Sequence, residues 1–279
     1  MGSYCTERMT RLDRGGAPRP ALDGRYELRR PLGHGGTSDV HLAWDRVLER
    51  EVAVKILHRE RLGDAHMTER FRREALALAR LESPHVVGVH DLGSDGDSFY
   101  LVMRRVTGRS LEELVRGEGP PSPARAVRLV GHVLDGLADL HAHRLVHRDI
   151  KASNVMVDWD DRAVLVDLGV VLDPRRRKLT PADCAVGTPR FMAPEQRDTG
   201  ESSVASDLYQ VGALLRFVLT GSVNDDNASN RYLFASRPYR LAAVVVRALA
   251  SDPAARFGSA REMRATLESA LVASDAGLR

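Results

Sequence analysis

The hydrophobic pattern of this chain changes period once, near Gly108, and that change limits the folds open to it. Before it, short runs at 26–32, 39–44, 51–57, 86–92 and 99–103 carry β-branched and aromatic residues between Gly and Asp turns, the signature of strands. One helical stripe interrupts them, with Phe71, Ala75, Leu78 and Leu81 at spacings of three and four. After Gly108 the helical period takes over. Ser122-Pro123 offers a cap and first-turn pair ahead of a stripe of Val127, Val130, Leu134, Leu137 and His141. Short strand pairs are expected around His147 and at 164–168. Leu208, Val211, Leu214, Leu215, Val218 and Leu219 make a helix apolar on more than one side, which predicts the buried axis of this half. Ser259-Ala260-Arg261-Glu262 has the spacing of a capping box before Met263, Leu267 and Leu271. The pattern predicts an α+β chain with residues 1–24 as a flexible leader, a small β-rich lobe with one main helix over 25–105, and a larger, mainly helical lobe over 106–279. The lobes join near 104–108, and a cleft between lobes is a common ligand site.

Composition narrows the partners. With 43% hydrophobic and 28% charged residues the chain is not a disordered one. Its 41 basic and 38 acidic residues are interspersed, so the formal charge of +3 marks no nucleic-acid-binding stripe. Cys5 and Cys184 are the only cysteines, so no disulfide is expected and a reducing, cytoplasmic compartment is the natural reading. No apolar run approaches the roughly 18 residues of a membrane helix, and no membrane span is expected. His34, His41, His90 and His141 have no metal-ligand grouping, and packing or surface roles suffice for them. Asn224-Asp225-Asp226-Asn227 lacks ligand spacing and reads as a polar loop.

Lysine usage points to the chemistry. Among the 41 basic residues only Lys55, Lys151 and Lys178 are lysine. A chain that otherwise chooses arginine keeps lysine in Val52-Ala53-Val54-Lys55 and in His147-Arg148-Asp149-Ile150-Lys151-Ala152-Ser153-Asn154, where a compact ammonium suits a phosphate. Leu32-Gly33-His34-Gly35-Gly36-Thr37-Ser38-Asp39-Val40 lies between the first two expected strands, where small residues let backbone amides approach phosphate oxygens. Alone, that loop is equally a glycine-rich hairpin turn, and it is not the dinucleotide fingerprint, because a strand follows it. Lys55 ends a strand-like run, and Glu74, 19 residues later on the helical stripe, is its candidate partner. The segment from His147 to Asn154 places a carboxylate, a cation and an amide in one loop. A substrate hydroxyl needs an orienting base, a moving phosphoryl group needs positive charge, and a metal needs oxygen ligands. Asp149, Lys151 and Asn154 supply one each. Val166-Asp167-Leu168-Gly169 follows, with Asp167 18 residues after Asp149 and able to reach the same metal as Asn154.

These segments together resemble the eukaryotic-type protein kinases, in particular the bacterial Ser/Thr kinases, across residues 25–272. The resemblance also covers Gly187-Thr188-Pro189-Arg190-Phe191-Met192-Ala193-Pro194-Glu195, Ser206-Asp207-Leu208-Tyr209 and Asp252-Pro253-Ala254-Ala255-Arg256-Phe257. It implies a bilobal protein-kinase-like fold and a Ser/Thr kinase using ATP with Mg²⁺, or Mn²⁺ in its place. By the likeness, Leu32, Gly33, Gly35, Gly36 and Ser38 would line the phosphate loop. Lys55 would bind the α- and β-phosphates and pair with Glu74. Asp149 would orient and deprotonate the acceptor hydroxyl, Lys151 would touch the γ-phosphate, and Thr188 would hydrogen-bond both. Asn154 and Asp167 would hold metal. Adenine would lie between Val40 and Ala53 above and Met156 below, against hinge backbone at Arg104 and Val106 and behind Met103. Glu195 with Arg256, and Asp207 beneath the catalytic loop, look like structural ties.

Three departures stand out. Leu168 replaces the usual phenylalanine and keeps an apolar residue there. Arg104 and Arg105 alter the hinge surface, where recognition uses backbone groups. The 221–241 region is short where relatives carry an extra helix, which touches substrate docking. Thr180, after Arg175-Arg176-Arg177-Lys178, is the candidate autophosphorylation site, with Arg148 among the cations expected to receive its phosphate and a transient dimer as the route. Cys184 reads as a small inert residue. The expected partner is a protein bearing Ser or Thr. A small-molecule kinase of related fold, such as an aminoglycoside-type phosphotransferase, and a nucleotide-binding pseudokinase scaffold are the alternatives.

Overall fold

The strand-forming runs before Gly108 pair into one antiparallel sheet. In the computed structural model, which describes residues 21–34, 38–58, 75–76, 78–96, 98–167, 189–223 and 239–276, its strands are β1 (Ala21–Leu22), β2 (Tyr26–His34), β3 (Ser38–Asp45), β4 (Arg50–His58), β5 (Val89–Asp95) and β6 (Ser98–Arg104), in the order β1-β2-β3-β4-β6-β5. Alternation selects the core. Tyr26, Leu28, Ala43, Val52, Val54, Ile56, Tyr100 and Val102 form one buried cluster, and the register supports it, because Val52 opposes Ala43, Val54 opposes Val102 and Ile56 opposes Tyr100. Tyr26 and Tyr100 meet edge to face at 5.9 Å, and the Tyr26 hydroxyl donates to Asp91 at 2.6 Å.

Two expectations need correcting here. The anticipated leader extended to residue 24, yet Ala21 and Leu22 already pair with Glu27 and Tyr26; Asp23 and Gly24, both at positive φ, turn the chain back on itself. The expected strand at 86–92 is split. Val86 and Val87 run beside Leu165, and β5 begins only at Val89, after Gly88, and continues to Asp95.

The chain divides into two compact units, Met1–Thr68 with Val89–Arg105 and Glu69–Gly88 with Val106–Arg279. In the second, Ala75, Leu76, Leu78 and Ala79 are helical, and Ala75, Leu78 and Leu81 of the expected stripe are buried. A small sheet, β7 (Gly108–Ser110), β8 (Val155–Asp158) and β9 (Ala163–Leu165), pairs in that order. Helix α1 (Leu111–Glu118) starts from a capping box that the sequence reading passed over: the Ser110 hydroxyl accepts from the Glu113 amide at 3.1 Å, and the Glu113 carboxylate accepts from the Ser110 amide at 2.8 Å. Helix α2 (Pro123–Ala142) takes the expected Ser122 cap with proline in its first turn. Gly136 lets it approach closely, since a side chain there would meet the His85 carbonyl.

Helix α3 (Pro194–Thr199) precedes α4 (Val204–Thr220), which is the buried axis expected: Leu208, Val211, Leu214, Leu215 and Val218 are fully enclosed. Each such residue contributes about 1.5–3 kcal/mol relative to exposure. Helix α5 (Tyr239–Ala248) packs on it and on α6 (Ala260–Ala276), which in turn packs on α2. The box expected at the start of α6 is only half made. Ser259 caps the Glu262 amide at 3.1 Å, but the Glu262 carboxylate accepts from the Gly258 amide at 2.7 Å and pairs with Arg247, also at 2.7 Å. Among the described residues no helix is long and apolar enough to cross a membrane.

Candidate active site

The expected residues fall into two sets, one on each unit. On the sheet unit, β4 sends Val52, Val54 and Ile56 into the core described above, so Ala53 and Lys55 face the other way. Val40 lies opposite Lys55, and Met103 lies opposite Ala53, so all four share one face. Ala53, Lys55 and Met103 are buried. Leu32 and Gly33 sit on β2 where its register with β3 slips twice, around Pro31, which has no N–H to give the ladder. Gly33 still pairs with Val40, and Ser38 opens β3. Arg104 ends β6, Arg105 pairs with Glu51, and at Val106 the chain re-enters the second unit. Gly35, Gly36, Glu74, Leu168, Thr180, Cys184 and Thr188, with the polar loop at 224–227, lie outside the described residues.

On the helical unit, the side chains of the catalytic-loop motif meet. Lys151 Nζ lies 2.9 Å from Asp149 Oδ2, and Asn154 Nδ2 donates to the same oxygen at 3.1 Å and to the Asp149 carbonyl at 2.8 Å. Asp149 and Asn154 are buried. A 3₁₀ turn, Ala152–Asn154, brings Asn154 back toward Asp149. The amide of Val166, the residue before Asp167, donates to the Asn154 carbonyl at 3.1 Å. Asn154 thus commits its NH₂ to Asp149 and keeps an amide oxygen for other chemistry. Met156 lies on β8, opposite Ser110 and Val164.

Elements distant in sequence hold this loop. Asp207, in the first turn of α4 and fully buried, accepts from the His147 and Arg148 amides at 2.8 and 2.7 Å, and its carboxylate lies 2.8 Å from His141 Nε2. Helix N-terminal amides favour a negative charge at that position. His141, read from sequence as a stripe residue of α2, is therefore also a tie to α4. Between these bonds Arg148 has a φ of 67°, a left-handed conformation that costs a non-glycine residue about 1–2 kcal/mol. Burial pushes the His147 imidazole down from its ordinary value, against the pull of Asp207 and Asp149, which favours the neutral ring.

The sequence reading missed two glutamines, Gln210 on α4 and Gln196 on α3. Gln210 accepts from the Ile150 amide at 2.8 Å and donates to the Arg148 carbonyl at 2.7 Å. Gln196 donates to the same carbonyl at 3.1 Å. A polar residue amid the apolar run of α4 was the only available signal. The Glu195–Arg256 tie is bidentate at 2.6 and 2.8 Å, with Arg256 also donating to the carbonyls of Ala250, Ala205 and Ser251. Burial, the largest single influence, would raise the Glu195 carboxyl; the Arg256 hydrogen bonds, a backbone amide and the Arg256 charge together outweigh it and hold the group below the usual range.

A curled antiparallel sheet unit and a helical unit that carries an Asp-Lys-Asn loop anchored on a buried helix define a protein-kinase fold. The family model for the protein kinase domain matches residues 26–254, and the chain belongs to that family. It is 32% identical over 264 residues to the serine/threonine-protein kinase PrkC of Bacillus subtilis, covering 89% of this chain and 41% of that protein. To PknB of Mycolicibacterium smegmatis it is 35% identical over 267 residues, covering 88% of this chain and 43% of that protein. The chain thus matches less than half the length of these curated relatives. The crystal structure of the Mycobacterium tuberculosis PknI kinase domain superposes with a TM-score of 0.69 at 27% identity, covering 92% of this chain and all of that one. Protein kinases as a family use ATP and a divalent metal and act on proteins.

Proposed function

We propose that this chain is a Ser/Thr protein kinase that transfers the γ-phosphoryl group of Mg-ATP to Ser and Thr hydroxyls of proteins. The observation that carries the reading is the loop in which Asp149 Oδ2 receives both Lys151 Nζ and Asn154 Nδ2, with the Val166 amide, one residue before Asp167, bonded to the Asn154 carbonyl. In this reading Asp149 orients the acceptor hydroxyl and takes its proton, and Lys151 supplies positive charge where the phosphoryl group moves. The Asp167 carboxylate and the Asn154 amide oxygen are hard donors of the kind Mg²⁺ or Mn²⁺ takes, and the metal neutralises phosphate charge when bound. Lys55, with Glu74, anchors the α- and β-phosphates beneath Leu32, Gly33, Gly35, Gly36 and Ser38. Adenine is taken by Val40, Ala53, Met103 and Met156 and by hinge backbone at Arg104 and Val106, and Thr188 steadies the acceptor side. Thr180 is the proposed autophosphorylation site, reached in a transient dimer, and the cytoplasm is the proposed compartment. The Ser/Thr protein kinase names of the relatives weigh against the small-molecule alternative.

Purified protein is incubated with Mg-ATP and a panel of protein acceptors beside its Asp149→Asn variant, with phosphosite mapping. The expected result is phosphate on Ser and Thr, including Thr180, and a loss on the order of 10²–10⁴-fold in the variant. Equal labelling of both proteins would sink the mechanism. Absence of label on any protein would return the small-molecule reading.

A further inference from the structure

Asp149 needs its carboxylate aimed, and the peptide groups on either side of it decide that aim. Rotation about its backbone is limited once the Arg148 carbonyl and the Ile150 amide are both fixed, because these belong to the two peptide planes that meet at the Asp149 Cα. One side chain holds both: Gln210 Oε1 accepts from the Ile150 amide at 2.8 Å while Gln210 Nε2 donates to the Arg148 carbonyl at 2.7 Å. We propose that Gln210 is a positioning residue for Asp149, a carboxamide clamp that fixes the direction in which the acceptor base leaves the loop. The proposal rests on the phosphotransfer reading given above.

The chemistry selects this side chain. A carboxamide presents a donor and an acceptor side by side on one planar, uncharged head. Gln210 is 2% exposed and sits on the buried axis α4, so its head has little freedom. Its own orientation is set by a second contact, since Nε2 also lies 3.0 Å from Gln196 Oε1. Gln196 is oriented in turn: its oxygen accepts from the Ala193 amide at 3.2 Å, and its nitrogen donates to Ser202 Oγ and the Arg148 carbonyl, each at 3.1 Å. The left-handed Arg148 is held on its amide by Asp207 and on its carbonyl by two glutamines. A glutamate at 210 keeps the acceptor, loses the donor and turns a charge toward two carbonyl oxygens. A methionine keeps the length and neither bond.

The test compares the full chain with Gln210→Met and Gln210→Glu, with Asp149→Asn as control. Two readouts are taken: steady-state transfer to a protein acceptor, and amide hydrogen exchange of the segment 147–154 against that of α4. A displaced base costs turnover on the order of 10²-fold. The expected result is a fall of roughly 10–10²-fold in kcat for Gln210→Met, with KM for Mg-ATP within about twofold of wild type. Exchange in 147–154 rises while the amides of α4 stay protected. A wild-type kcat in either folded variant, or unchanged exchange in 147–154, would overturn the proposal. Loss of folding in both variants would overturn it too, making Gln210 a packing residue. If the wild-type chain transfers no phosphate, the kinase reading fails, and hydrogen exchange still decides whether Gln210 clamps the loop.

Discussion

The face of β4 that carries Ala53 and Lys55 and the loop that carries Asp149 are built in opposite ways. The strand places its side chains by a local rule: period-two alternation sends Val52, Val54 and Ile56 to the core and Ala53 and Lys55 to the other face, and register with Val40 and Met103 completes the set. The loop has no such rule. Its backbone passes through a left-handed Arg148 and is held by Asp207, Gln210 and Gln196, residues roughly fifty to sixty positions further along the chain. Hydrophobic pattern secures the first region and buried polar bonds the second, so they should respond differently to the same kind of damage.

The largest effect is expected on the polar side. Arg256→Ala removes the guanidinium that is bidentate to Glu195 and leaves a partly buried carboxylate unpaired, a loss of about 3–5 kcal/mol. The urea midpoint measures it, and a shift like that of a surface substitution would break the contrast. Next comes Asp207→Asn, which puts an NH₂ donor where the amides of His147 and Arg148 and His141 Nε2 need acceptors. About 1–3 kcal/mol should be lost, and phosphate transfer should fall further than the unfolded fraction explains. On the sheet, Ile56→Val trims one methylene from the core face and should cost about 0.5–1.5 kcal/mol, with transfer per folded molecule unchanged. Lys55→Arg, on the opposite face of the same strand, should depress transfer far more than Lys178→Arg does. Equal activity in those two variants would show that the retained lysines carry no chemical meaning.

Acid is the mildest probe. Burial holds the imidazoles of His41, His90, His132 and His147 below their ordinary value of 6.5. For His132, stacked at 4.4 Å on His85, the neighbouring imidazole, Arg264 and Arg128 add to the lowering and Asp135 opposes it. The unfolded chain therefore binds protons first as pH falls. This contribution is complete above about 6.5 and is lost as pH falls through the lowered folded values. A second loss follows at lower pH, where carboxylates such as Asp45, held down to about 2 by hydrogen bonds from Arg25, take up protons in the unfolded chain first. Urea midpoints at pH 8, 6.5 and 5 would test the order, and a midpoint that rises on acidification would overturn it.

Much of the architecture was legible before any coordinates. Strands at 39–44, 51–57 and 99–103 lie within β3, β4 and β6, the Ser122-Pro123 start of α2 holds, and α4 is the apolar axis. The exceptions were set by pairing rather than pattern. Val86 and Val87 look like strand residues and are bonded alongside Leu165, and Ala21 joins the sheet because a turn at Asp23 returns the chain to Tyr26. Glu262 shows the same limit, since spacing marked it as a capping-box acid and the fold gave its carboxylate to Gly258 and Arg247.

The sequence by itself determined which chemical groups are present and which lie close along the chain. The change of period separated sheet from helix, scarce lysine marked two positions, and Asp149, Lys151 and Asn154 shared one short loop because six residues cannot carry them far apart. Only the tertiary structure decided how that loop is held. Hydrogen bonds that tie the loop to Asp207, Gln210 and Gln196 act across large sequence separations, and no local period encodes a donor-acceptor match between a helix side chain and a distant peptide group.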